Sequence, residues 1–410
     1  MTNAAVERVN VFLAVRQAER PARRAAFLLA APLILYILVV FVAPIVMLLS
    51  TSVANPEARA VIPSTVAALK DWNGTSAPDE PVFAAFAADL KKAQADRTAA
   101  GLGKRLNYEA SGMRSRVMAA ARMAAGMEHG PYKQAFLDLD PVWSAPDTWA
   151  VIRRAGSEFT SYYLLTAVDL QKNPDGSIQR AAPDQAIFLD ILGRTLMIAA
   201  IVTAATILLG YPVAYVLTIA PPGVGQFMML MVLLPLWTSL LVRTTAWVVL
   251  LQSDGVINDA LMSLHLISEK LQLIFTRFGT VTAMTHIQLP FTILPIYSVM
   301  RSIPPSHLRA ARSLGAGPTS SFWRVYAPQT LPGVVAGGLM TFILSLGYYI
   351  TPALVGGPGD QMVSNFIATY INRDLNWGLA SALGMVLLAV TLGIYFVFLR
   401  LVGADKIKLG

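Results

Sequence analysis

Cysteine is absent from the 410 residues. That excludes disulfides, thiol nucleophiles and thiolate metal sites together. Histidine is scarce, with four at 129, 265, 286 and 307; none stands at a spacing that would pair it with another as a metal ligand, so no metal site is expected. Charged residues make up 14% of the chain, against roughly a quarter in soluble domains. The phosphate-cradling pattern G-x-x-x-x-G-K-[ST] is missing. Its nearest approach, Gly101-Leu102-Gly103-Lys104-Arg105, lacks the first glycine and the hydroxyl after lysine. A G-x-S-x-G nucleophile motif is missing too. No catalytic residue, resident cofactor or enzymatic activity is therefore expected. No repeat of solenoid length and no low-complexity tract is present. The net charge of +8 is spread beside the ends of apolar runs, where it sets membrane topology rather than binding nucleic acid.

Apolar residues make up 55% of the chain, the composition of a membrane protein. Six runs approach or exceed the roughly 20 residues that cross a bilayer. They are 26–50, 195–220, 227–242 continued past one arginine to 251, 278–300, 331–355 and 375–399. The expectation is an all-α membrane protein with six transmembrane helices. Lys and Arg in short flanking segments give the orientation. Arg8, Arg16, Arg20, Arg23 and Arg24 precede the first run, Arg301, Arg309, Arg312 and Arg324 follow the fourth, and Arg400, Lys406 and Lys408 close the chain. The opposite side offers Lys270, Arg277 and Arg373. Both termini and the loop after the fourth span are accordingly expected in the cytoplasm. The first run is too long for a signal-peptide core and reads as a retained span. Residues 6–20 suit a basic amphipathic helix on the inner surface.

Boundaries follow. A basic tail occupies 1–25, the first span 26–52, an extracytoplasmic insertion 53–189, a five-helix core 190–402 and a short tail 403–410. The insertion holds most of the charge. Val82, Phe83, Phe86 and Leu90 recur at helical spacing, with Asp89, Lys91, Lys92 and Asp96 assigned to the polar face. Further helices are expected at 108–127, 148–155 and 159–170, with 162–169 apolar enough for a strand instead. Asn173-Pro174-Asp175-Gly176 signals a turn. A small, mainly helical cap is expected.

Between the fourth and fifth runs the chain reads LRAARSLGAGPTSSFWRVYAPQTLP. Gly315 suits a left-handed helix end and Pro318 a first helical turn, giving two short helices joined by an elbow within loop 301–332. Ala310, Ala311, Gly315, Ala316, Phe322 and Pro328 stand at the spacing of the EAA loop, and the segment resembles the cytoplasmic loop of ABC-transporter permeases. The usual glutamate is replaced by Arg309. The stretches TFILSLGYYITPALVGGP at 341–358, NWG at 376–378 and Leu240-Leu241-Val242-Arg243-Thr244 resemble the spermidine/putrescine branch of binding-protein-dependent importers. The resemblance implies the type I importer permease fold in a bacterial inner membrane. It also implies a second, different permease chain, a cytoplasmic ATPase dimer carrying ATP and Mg, and an extracytoplasmic solute-binding protein. Arg309, Ala310, Ala311, Gly315, Ala316, Phe322 and Pro328 would then form the ATPase-coupling loop, with Phe322, Trp323 and Tyr326 as aromatic anchors for the partner.

For the pathway the residues are Trp237, Arg243, Tyr348 and Tyr349. Spans two, four, five and six carry no Asp or Glu, and neither does the stretch between Ile191 and Ser253. Tight holding of a dication needs a carboxylate, so selectivity is expected mainly in the binding protein. Arg243 has two open readings: a pathway or bracing residue, or one that snorkels to headgroups. Pro290, Pro295, Pro352 and the Gly347-Tyr348-Tyr349 segment are expected to interrupt helices. The aromatic faces suit an organic cation, with packing or an interface belt the favoured reading. His286 reads as a hydrogen-bonding residue of the bundle. The function expected is transport of a small polar organic solute, a polyamine or alternatively an opine, amino-acid derivative or quaternary amine. An ion-coupled carrier would show intramembrane acids and internal repeats. A membrane-anchored sensor would have no need of the elbow.

Overall fold

The structure is a computed structural model that describes residues 25–173 and 176–402. The expected amphipathic helix at 6–20 and the tail 403–410 lie outside the described residues. Five described helices are long and apolar enough to cross a membrane: Ala25–Ser50, Phe188–Ile219, Leu240–Ser263, Pro318–Gly347 and Trp377–Arg400. The expected third span is not one helix. It divides into Pro222–Leu233, a single 3-10 turn Leu234–Trp237 and Leu240–Leu251. Pro235 lacks the amide that would carry the helix through, and Thr238 and Ser239 are extended. The expected fifth span is also redrawn. It starts at Pro318, thirteen residues before the apolar run, and ends at Gly347 before a separate helix Ile350–Val355.

The fourth span, Arg277–Ser302, is 26 residues long but less apolar, because it carries Thr280, Thr282, Thr285, His286, Gln288 and Thr292. It tolerates them by sitting inside the bundle, where it packs on both the second span and the helix Ala327–Gly347. Thr292 and Thr341 share a hydrogen bond of 2.6 Å, and Ser345 donates to Gln288 at 3.1 Å. Close approach is set by small residues: a Cβ on Gly337 would meet the Thr292 carbonyl at 2.7 Å.

The insertion is mainly helical, with helices Glu80–Ala95, Ala99–Glu109, Met113–Gly126, Tyr132–Leu139 and Pro146–Ala155 among others. The single helix expected over 108–127 is two, separated where Gly112 takes φ +81°. Phe83, Phe86, Phe136, Trp143 and Trp149 form a core of ring contacts at 4.6–6.2 Å. Asp89, assigned by periodicity to the polar face, is buried. Its carboxylate accepts from the Thr65 amide and hydroxyl, both at 2.7 Å, and so caps helix Pro63–Ala68. Residues 162–166 are a short helix rather than a strand. Strand Leu170–Lys172 follows and pairs antiparallel with Ile178–Arg180, Gln171 facing Gln179.

Candidate coupling elbow and outer mouth

The elbow forms as its residues dictate. Helix Pro305–Ser313 opens on proline and stops where Gly315 takes φ +86°. The Ala316 amide then donates to the Ala311 carbonyl and the Gly315 amide to that of Arg312, the paired bonds of a left-handed helix end. Pro318 opens the next helix, and Ser321 donates back to the Ala316 carbonyl at 3.3 Å. A π-helical turn, Phe322–Tyr326, carries this helix without a break through Ala327 and Pro328 into the fifth span. His307 Nδ1 and Gln329 Oε1 lie 2.7 Å apart and tie the first elbow helix to the second.

Two of the three expected aromatic anchors point the other way. Phe322 packs against Tyr215 at 5.3 Å and Tyr211 at 6.5 Å, and Tyr326 is buried against Tyr215 at 5.6 Å. They fasten the elbow to the C-terminal end of the second span. Trp323, 67% exposed, and Leu314, 89% exposed, remain as free apolar side chains. Arg309 and Arg312 are exposed, Ala310 is exposed, Ala311 and Ala316 are half-buried. From Arg277 to Gly359 the sequence holds no Asp or Glu, so the elbow is basic throughout.

Of the four pathway residues, Arg243 and Tyr348 come together near the two helix breaks. Ser239 accepts from the Val242 amide at 3.2 Å and caps the helix that carries Arg243. Thr244 and Thr351, both fully buried, share a hydrogen bond of 3.2 Å that joins the helices following the two breaks. Arg243 Nε and Nη1 are buried without a hydrogen-bond partner, and its charge acts on both Tyr348 and His286. Trp237 and Tyr349 lie more exposed. Sequence reasoning missed Trp247, whose Nε1 donates to His286 Nδ1 at 3.1 Å. Its signal was there, four residues beyond Arg243 and so on the same helical face. His286 also borders an otherwise apolar cavity of about 310 Å3 walled by Leu209, Met228, Val232 and Pro290.

The cap is seated on the first turns of the second and last spans. Asp169 is buried and accepts from the Phe188 amide at 2.9 Å and the Leu189 amide at 2.8 Å, the first turn of the second span. Tyr163 covers Gly378, where any Cβ would overlap its ring. Gly378 belongs to the NWG triplet, whose Asn376 caps the last span through the Leu379 amide at 3.2 Å. Lys104 donates to the Asp374 carbonyl. The buried Arg105 lies 5.1 Å from the Tyr162 ring centre and 5.5 Å from that of Tyr163. Burial pushes the Tyr163 phenol up to about 12, partly offset by the Arg105 charge. Burial also raises those of Tyr108 and Tyr162. Glu109 pairs with Arg105 at 2.8 Å and Arg154 at 3.3 Å.

Residues 197–407 match the family described as binding-protein-dependent transport system inner membrane component. The spermidine/putrescine transport system permease protein PotB of Escherichia coli (strain K12) is 30% identical over 204 residues, covering 50% of this chain and 74% of that protein. The inner membrane ABC transporter permease protein YdcU of the same organism is 34% identical over 229 residues, covering 52% and 72%. A putative 2-aminoethylphosphonate transport system permease protein, PhnU of Salmonella paratyphi A, is 26% identical over 224 residues, covering 53% and 76%. Among solved structures, a bacterial alginate ABC transporter in complex with an alginate-bound periplasmic protein is 18% identical over 54% of this chain and 80% of that one, with a TM-score of 0.44.

Proposed function

The chain belongs to the family of inner membrane components of binding-protein-dependent transport systems, and from that membership we infer that it is one permease subunit of an ATP-driven importer of a small polar organic solute. Named relatives handle spermidine and putrescine, and a polyamine is the solute we assign first. The helix breaks at Thr238–Ser239 and Tyr348–Tyr349, with Arg243 between them, would line the outer part of the pathway. Irregular backbone at membrane depth is tolerated where it lines a cavity or is packed by protein. Hydrolysis would lie in a separate cytoplasmic ATPase that receives the elbow. The termini would share that compartment, and a second permease chain and a solute-binding protein would complete the machine.

The observation that carries this reading is the elbow itself. It is two short helices set by Gly315, locked to the second span by Phe322 and Tyr326, and continuous with the fifth span. Force applied to Pro305–Ser313 has a stiff route into the bundle. The exposed Arg309 and Arg312, with no acid nearby in sequence, call for an acidic groove on the ATPase. The experiment is co-purification of the ATPase with the full chain, together with uptake of labelled putrescine. Arg309→Glu should reduce the ATPase recovered by about fivefold, the weight of a charge-assisted contact turned repulsive. Equal or greater recovery would remove the acidic groove from the account. Failure of the unaltered chain to retain any ATPase would remove the importer reading.

A further inference from the structure

A cleft of about 630 Å3 lies where the cap meets the spans. One wall is Phe159 to Tyr162 of the cap with Tyr108 and Arg154. The other includes Phe188, Tyr370 and Leu379. Its level relative to the membrane follows from three contacts. Thr51, one residue past the end of the first span, shares a hydrogen bond of 2.7 Å with Ser381 of the last span. The Thr160 amide donates to the Val53 carbonyl at 2.8 Å, and the Asn55 amide to that of Glu158 at 3.2 Å. The wall at Phe159 and Thr160 is thus held within five residues of the first span. Opposite it, Phe188 and Leu379 are opening residues of two further spans. The cleft therefore sits at the membrane surface, in the layer of lipid headgroups.

Its chemistry fits that layer. Phe159, 68% exposed, and Ile187, 39% exposed, present apolar side chains at the opening. Ser157, Thr160, Ser161 and Asn376 supply hydroxyl and amide groups, and Arg154 and Lys172 supply positive charge. The acids close by are already committed. Glu109 is held between Arg105 and Arg154, Glu158 by Arg59 at 2.6 Å, and Asp169 by two backbone amides. Glu57 acts on Tyr108 from outside the lining. Lys172 makes no ion pair among the described residues, and Tyr108 Oη is buried with no hydrogen-bond partner. A cation with no ion pair among the described residues, the unpartnered Tyr108 hydroxyl and apolar side chains beside the membrane suit a phosphodiester with acyl chains attached.

We infer that this cleft binds the phosphate headgroup of an anionic phospholipid of the outer leaflet, with its acyl chains lying along the outer ends of the spans near Ile187 and Leu189. A bound lipid would complete the joint between cap and core. Lys172 is the residue on which affinity depends most, since Arg154 is already satisfied by Glu109. The test uses the full-length chain extracted from nanodiscs of phosphatidylcholine containing a minority of phosphatidylglycerol, with retained lipid counted by native mass spectrometry. One phosphatidylglycerol should remain per chain. Lys172→Glu should lower its retention by about fivefold, the weight of one lysine at an anionic lipid surface. Arg122→Glu, a charge reversal on the exposed side of a cap helix away from the cleft, should leave it unchanged. Lys172 is exposed, so its replacement does not threaten folding. Thermal unfolding of both variants checks this, and Lys172→Arg should restore retention if charge is what matters. Retention indifferent to Lys172→Glu would overturn the site. Displacement of the lipid by inorganic phosphate at low concentration would overturn the lipid assignment and identify a free-phosphate site instead.

Discussion

Asp169 is spent on two backbone amides at the head of the longest helix among the described residues. It stands at φ +56°, a strained position for a residue with a Cβ, and gains two charge-assisted hydrogen bonds in return. Asp169→Ala should leave the Phe188 and Leu189 amides unpaired and lower local stability by about 2 kcal/mol. Hydrogen exchange of the amides at 188–192 would then quicken by about thirtyfold. Tyr163 gives a second residue-scale expectation, in pH. Its phenol ionises near 12 when folded and at about 10 when unfolded. Below pH 10 both states keep the proton and nothing changes. Between 10 and 12 the unfolded chain loses it while the folded one holds it, so the seat on Gly378 loosens as pH rises through that window. Exchange at Trp377–Leu379, followed from pH 8 upward after correction for the intrinsic rate, should accelerate only above about 10. Tyr108 and Tyr162, raised in the same direction, add to the same trend.

At the scale of elements, the elbow stands apart because its turn is decided by one glycine. No neighbour crowds Gly315, so a Cβ there meets open space and alanine would cost only the left-handed backbone, about 1 kcal/mol. Proline cannot adopt a φ of +86° and would misdirect both short helices. Gly315→Pro should leave membrane insertion intact while abolishing uptake and binding-protein-stimulated ATP hydrolysis. Uptake at the unaltered rate would separate the elbow from coupling. The elbow was readable in sequence because glycine and proline punctuate it locally. Of the two broken spans, one was readable: Gly347-Tyr348-Tyr349 reads as an interruption, and the helix ends there. Pro290, Pro295 and Pro352, read the same way, lie within helices instead. The other break was not read, because Thr238 and Ser239 are unremarkable in a hydropathy profile. The inward turn of Phe322 and Tyr326 was hidden for a related reason: an aromatic in an amphipathic turn looks the same whether it faces a partner or its own bundle. Asp89 was misplaced because periodicity assigns polarity to the outside, and a capping carboxylate is the standard exception.

At the scale of the molecule, composition was enough to specify a membrane bundle and a separate folded insertion. It gave no hint that the two are fastened together. The insertion has its own aromatic core, yet Tyr163, Ala167, Phe188, Leu379 and Leu383 form a second buried cluster shared between cap and spans. Replacing residues 61–153 with a short Gly/Ser linker would remove the first core and keep the Asp169 and Tyr163 contacts. The chain should still assemble with its partners, as judged by co-purification. Stimulation of ATP hydrolysis by the solute-binding protein should fall if the cap is its landing surface. Unchanged stimulation would leave the cap a stabilising role alone.

The second span has 32 residues, which at 1.5 Å each is a rod of about 48 Å. The hydrocarbon core of a bilayer is about 30 Å thick. The rod is gripped near its C-terminal end by the elbow aromatics and at its first turn by Asp169. A change of angle at one end would therefore be felt at the other. A tilt of about 10° moves one tip by about 8 Å relative to the other on that length. Turned about its elbow end by that angle, the rod would swing the cap by the same distance. The absence of cysteine makes that swing measurable, because a single thiol placed on the cap is a unique attachment point for a distance probe.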